Sequence, residues 1–134
     1  MKNLIKLEEF GLFLLSMLLF SQLEYPWWVY PALLLAPDLG MLGYVFGPAV
    51  GAATYNTTHH KGLAALFYGA GILAASPALS LIGVIMLGHS SLDRVLGYGL
   101  KYPDAFRHTH LGWIGPDRAA RAVPSYAGQE GEEV

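Results

Sequence analysis

Long apolar runs broken at a few points by short polar clusters set the pattern of this chain. The first run, residues 4–23, predicts a helix of about 30 Å, long enough to cross a bilayer. Lys2 and Lys6 ahead of it imitate the start of a signal peptide. Glu8 and Glu9 interrupt that basic region, and Gln22-Leu23-Glu24-Tyr25 offers no small-residue cleavage site. The expectation is therefore a retained transmembrane helix. Pro26-Trp27-Trp28-Val29-Tyr30-Pro31 follows, with the aromatic residues that favour a membrane–water interface.

The second run, 28–46, carries Pro37-Asp38 near its middle. The third, 48–75, is about 28 residues long, more than one crossing requires. It is interrupted by Asn56-Thr57-Thr58-His59-His60-Lys61, the natural place for a break. The fourth, 77–100, holds His89, Ser90, Ser91, Asp93 and Arg94 in its second half. Lysine and arginine cluster before the first run and after the fourth, which places both termini in the cytoplasm and asks for an even number of crossings. The fold expected is all-α, an integral membrane four-helix bundle over residues 1–115. A short polar cytoplasmic tail, 116–134, is expected to be disordered. The rival is three crossings with a polar loop at 55–61, which places Lys61 comfortably but puts the termini on opposite sides.

Composition strengthens the membrane expectation. Only 13% of the 134 residues are charged and 54% are hydrophobic, where an ordinary soluble domain carries about 25% charged residues. The net charge of −2 gives no basic field for nucleic acid. The absence of cysteine excludes a disulfide, a thiolate metal site and a cysteine nucleophile. Gly43, Gly47 and Gly51, spaced by four, form a smooth helix face suited to close packing, either inside the chain or as a homo-oligomer seam.

Depth along the runs then singles out the chemistry. Counted at about 1.5 Å per residue from their respective membrane entries, Asp38, His59 and His89 all lie about 15–18 Å deep, with Asp93 one turn further on. Ionisable groups at such depth are costly unless paired, protonated or wetted. His89 and Asp93, four apart, share a helix face. His108 and His110 alternate, so an extended segment points both the same way, and a tail folded under the bundle brings them to Asp93. Imidazole and carboxylate suit zinc, manganese or iron. The candidate ligands are thus Asp38, His59, His89, Asp93, His108 and His110, with His89 and Asp93 as catalytic groups. Tyr44, Tyr55 and Asn56 are the candidate substrate contacts. The bland alternative treats the same residues as interhelical glue, with Asp38 pairing Lys61 or Arg94. No His-Glu-x-x-His and no Gly-x-Ser-x-Gly motif occurs.

Pro37-Asp38, Gly40-Met41-Leu42-Gly43-Tyr44, Gly47-Pro48, Tyr55-Asn56, His59, Gly88-His89, Asp93-Arg94, Gly97-Tyr98-Gly99-Leu100-Lys101-Tyr102 and His108-Thr109-His110-Leu111-Gly112 together resemble a family of small bacterial membrane proteins, the domain of unknown function 4260. The resemblance implies a compact multi-pass fold in the bacterial inner membrane and carries no activity with it. A looser similarity, of pattern only, is to membrane-bound metal-dependent hydrolases that scatter histidines and aspartates over several helices. Two functions stand against each other: a metal-dependent hydrolase of a lipid-like or amphipathic substrate, and a non-enzymatic membrane protein, either a small proton- or cation-coupled transporter or a structural subunit. Membrane lipid is the partner common to both.

Overall fold

A computed structural model describes residues 1–116. The chain forms α1 (Lys2–Ser21), a short α2 (Val29–Leu33), a 3-10 helix (Ala36–Phe46), α3 (Pro48–Thr58), α4 (Lys61–Leu73) and α5 (Pro77–Leu96). Two-residue strands β1 (His108–Thr109) and β2 (Gly112–Trp113) close an antiparallel hairpin in the tail. The expectation of disorder over 116–134 falls, from residue 117 on, outside the described residues.

The mostly helical architecture matches the hydrophobic pattern, and two of the four predicted runs are subdivided. The run 28–46 is not one α-helix. Pro37 lacks an amide donor and its ring opposes the carbonyl of Leu33, so the α-helix stops there. The chain continues as a tighter 3-10 helix, its first turn closed by the Asp38 amide donating to the Leu35 carbonyl at 3.1 Å. The run 48–75 breaks at the polar cluster. The His59 amide makes the last bond of α3, to the Tyr55 carbonyl. His60 then turns extended and caps α4, its Nδ1 accepting from the Leu63 amide at 3.1 Å. With 11 and 13 residues, α3 and α4 are each shorter than a bilayer core of about 30 Å. α5 ends at Leu96 rather than residue 100, because Gly97 adopts φ +96° and the Tyr98 amide reaches back to the Asp93 carbonyl.

Among the described residues, two segments are long and apolar enough to cross a membrane, Val29–Phe46 and Pro77–Leu96. α1 has the length but carries Lys2, Lys6, Glu8 and Glu9 in its first half. Large apolar side chains stay exposed along α1 and the 3-10 helix, among them Leu7, Leu18, Leu42 and Phe46.

α5 is the hub, packed on α1 and on α4, while α3 packs on the 3-10 helix. Small residues make these approaches close. Gly83 lies against the backbone of Ala64 and Tyr68 in α4. Gly88 lies against the hydroxyls of Tyr30 and Ser16, which are 2.6 Å apart. Ser16 donates to the Phe13 carbonyl, so the Tyr30 hydroxyl is the donor between the two. Around them Phe20, Tyr30, Val84 and Ile85 form the apolar core. Of the three glycines spaced by four, Gly43 receives Thr54 and Gly51 receives the Tyr44 ring, both within the chain. Gly47 is the turn between the 3-10 helix and α3, at φ +109°. Lys61 is held by an ion pair with Glu9 of α1.

Gly83→Ala places a methyl against α4 backbone that cannot yield, and should cost about 1–3 kcal/mol. Gly11→Ala, whose added methyl meets nothing within 4 Å, should leave stability unchanged or slightly higher. Thermal midpoints of the two variants in the same detergent check the contrast; equal midpoints would show that α4 and α5 do not touch as described.

Candidate metal centre

His59 is the last residue before the chain breaks, and its side chain is fully buried. Its ring stacks on Tyr55, one turn earlier, with centroids 3.7 Å apart and planes 17° from parallel. Its Nδ1 lies 2.8 Å from the Tyr55 carbonyl oxygen. A carbonyl only accepts, so Nδ1 carries the proton, and Nε2 of the neutral ring presents a lone pair. That Nε2 points at His89 Nε2 on α5, 2.9 Å away. Two imidazole lone pairs at this separation repel, so one of the two nitrogens carries a hydrogen or a metal ion lies between them. A proton on His89 Nε2 meets this requirement, directed at His59 Nε2 with Asp38 Oδ1 also close by.

Asp38 comes from the first turn of the 3-10 helix, where the proline break turns it inward. Its Oδ1 is 3.2 Å from His89 Nε2 and 3.5 Å from His59 Nε2. Asp93, one turn beyond His89, is 3.4 Å from His59 Nε2 and 3.7 Å from His89 Nε2. Its Oδ2 accepts from the Tyr55 hydroxyl at 2.7 Å. Tyr55 therefore fixes both a histidine, through its ring and carbonyl, and a carboxylate, through its hydroxyl.

These separations can be tested against a metal. Ligand atoms on a tetrahedral ion with bonds of about 2.1 Å lie about 3.4 Å apart. The three edges among Asp38, His59 and His89 are 3.5, 3.2 and 2.9 Å. The residues thus fit one divalent ion with small adjustments, and they form the group of metal-capable side chains found among the described residues. Asp93 stands at similar distances from both rings. His89 Nδ1, Ser90 Oγ and Ser91 Oγ are buried without a hydrogen-bond partner among the described residues.

The tail histidines are not brought to this cluster. His108 Nδ1 is 2.8 Å from an Asp104 carboxylate oxygen, and its ring stacks on Trp113 at 4.4 Å. That hydrogen bond holds the Asp104 carboxyl below its ordinary range. His110 Nδ1 accepts from the Leu100 amide at 2.8 Å. Burial, with Arg94 adding to it, lowers the pKa of His110. The physical reason is local: β1 and β2 pair with a tight turn, so the tail satisfies its histidines itself before they can reach α5.

The candidate substrate contacts also take other roles. Asn56 grips the backbone of Lys101, donating Nδ2 to its carbonyl at 2.8 Å and accepting its amide on Oδ1 at 2.7 Å. This reciprocal pair fastens the tail to α3. Tyr55 is a positioning group. Tyr44 packs edge-on to Phe106, centroids 5.2 Å apart, and its hydroxyl is buried without a partner among the described residues.

Lys101 is the residue that spacing did not single out. It is buried, with Nζ 4.1 Å from the Phe106 ring centroid and 5.1 Å from that of Tyr55. Burial pushes its pKa down, while Asp93 and Asp38 oppose the shift. Its place at the end of the apolar runs reads as an ordinary basic flank. Only the Asn56 clamp and the two rings, brought together in three dimensions, turn it toward the carboxylates.

The sequence matches the family described as Domain of unknown function (DUF4260) over residues 2–114, and the chain belongs to that family. No curated protein and no solved structure matches it.

Asn56→Ala removes both bonds to Lys101 and should cost about 1–3 kcal/mol locally. The check is hydrogen exchange at the Lys101 amide, expected to accelerate by at least tenfold while amides of α5 keep their protection. Unchanged exchange at Lys101 would mean that another contact holds the tail.

Proposed function

We propose that this DUF4260 member is a multi-pass protein of the bacterial inner membrane whose Asp38–His59–His89 centre holds a divalent transition metal and hydrolyses a lipid-like or amphipathic substrate. In this reading α2 with the 3-10 helix forms one crossing. α3 and α4 form another, discontinuous one, with α1 and α5 completing four and both termini cytoplasmic. Irregular backbone at membrane depth is tolerated where it is enclosed by protein, which is where the break at His59-His60 would lie. The observation that carries the proposal is the convergence of two imidazole nitrogens and a carboxylate oxygen at the spacing of ligands on one ion.

A bound zinc, manganese or iron would bring the pKa of a coordinated water near neutrality. The chain's own groups divide the remaining work. The Tyr55 carbonyl holds His59 in the tautomer that ligates through Nε2. The Tyr55 hydroxyl holds Asp93 beside both rings, where it can take a proton from the attacking water. The Lys101 ammonium, held among Tyr55 and Phe106, supplies positive charge for an oxyanion forming at the site. Exposed apolar faces on α1 and the 3-10 helix suit a substrate delivered from lipid.

A second function has its own support. His89 Nδ1, Ser90 Oγ and Ser91 Oγ, without a hydrogen-bond partner among the described residues, lie along one stretch of α5. Buried polar atoms left open in this way suit a proton or cation relay, as in a small transporter.

Elemental analysis of protein purified in mild detergent separates the two. The hydrolase predicts about one zinc, manganese or iron per chain, lost in His59→Ala and His89→Ala and retained in His108→Ala and His110→Ala. Tyr55→Phe should weaken metal affinity by about 10–100-fold without unfolding the protein. Full metal content in His89→Ala would sink the proposal. Metal-free protein that drives pH-dependent uptake into vesicles would establish the relay instead.

A further inference from the structure

Arg94 follows Asp93 on α5 and is rotated about 100° from it, away from the centre. It lines a pocket of about 290 Å³ between the first turns of α1, the end of α5 and the β1–β2 hairpin. Lys2 and Lys6, four apart on one face of α1, join it in the lining, and among the described residues no aspartate or glutamate lines the pocket. The Arg94 Nη1 donates to the Tyr98 carbonyl at 2.9 Å, which fixes the guanidinium against the wall. The rest of the lining is largely apolar or aromatic, with Ile5, Tyr98, Trp113 and Ile114 prominent.

The surroundings identify the kind of anion. Along α1 from Lys6, at four and eleven residues, Phe10 and Met17 lie on the same side of the helix, and both are exposed. They extend an apolar lane about 16 Å up the helix from the cationic pocket. A small soluble anion has no use for such a lane, whereas a phospholipid matches both halves. Its phosphate meets Lys2, Lys6 and Arg94, and an acyl chain lies against Phe10 and Met17. Tyr98 and Trp113 in the lining are residues of the kind that favour lipid headgroups.

We infer that this pocket binds the phosphate headgroup of an anionic membrane phospholipid. The site is separate from the metal centre and rests only on the membrane part of the function proposed above. Arginine holds the phosphate in a fixed geometry, and the two lysines add point charges. A second negative charge or a polar glycerol headgroup is accommodated, and the cationic choline headgroup is disfavoured beside three cations.

The test is thermal stabilisation and direct titration of the full chain in neutral detergent with phosphatidylglycerol, phosphatidylcholine or inorganic phosphate. The expected result is stabilisation by phosphatidylglycerol, bound about tenfold or more tightly than phosphatidylcholine, with no effect of inorganic phosphate. Lys2→Gln combined with Lys6→Gln should reduce the preference to about parity. Both lysines are exposed, so this variant should keep its fold. The inference is overturned if phosphatidylcholine stabilises equally, if inorganic phosphate reproduces the effect, or if the double variant keeps the preference. Metal content of the double variant, expected to be unchanged, distinguishes failure here from failure of the metal centre. Release of the protein from membranes by detergent, and not by salt, tests the membrane assignment by itself.

Discussion

Two buried imidazoles face each other through their Nε2 atoms, with a carboxylate on the 3-10 helix and another on α5 close by, and this contact constrains most of the molecule. It requires a proton on one ring, or a metal ion, between the two nitrogens, and each group is held from behind. The break after α3 aims His59. The proline-induced change of helix type aims Asp38. The C-terminal stretch of α5 carries His89 and Asp93 on one face. Two irregularities in the apolar helices and one face of the regular α5 therefore bring these side chains to a single point.

Close packing makes that possible. α5 could not serve α1 and α4 together if Gly83 and Gly88 carried side chains, because α4 backbone and the Tyr30–Ser16 hydroxyl pair already fill the space. The 3-10 helix could not lie on α3 without Gly40 and Gly43 opposite Thr54. The Thr54 hydroxyl then donates to the Gly40 carbonyl at 2.6 Å and ties the two elements in the turn next to Asp38. Small residues thus set the distance between elements, and polar side chains set the register.

Charge is distributed in a consistent way around this scaffold. Glu9 takes Lys61. Tyr55 and Phe106 enclose Lys101 close to the two carboxylates. Lys2, Lys6 and Arg94 gather on a different face of the C-terminal turn of α5. The acidic–imidazole centre and the basic pocket are therefore neighbours along α5 but face apart.

The sequence by itself determined the helical class, because apolar runs of this length and this scarcity of charge allow little else. It also singled out Asp38, His59 and His89 as one set, and their ligand atoms do lie together in the fold. The family resemblance was legible for the same residues. Other features required the folded chain. Whether the runs stay whole depended on Pro37 and on the His60 cap, which compete locally with continuous helix. The tail histidines were misplaced because hairpin pairing, a contact between residues near in sequence, satisfies them before the bundle can. Lys61 looked like a loop marker until Glu9, on a different helix, accounted for it. Lys101 looked like a flank until Asn56 and two aromatic rings met it. Periodicity records which face a residue takes along its own helix, and only tertiary packing decides what stands opposite.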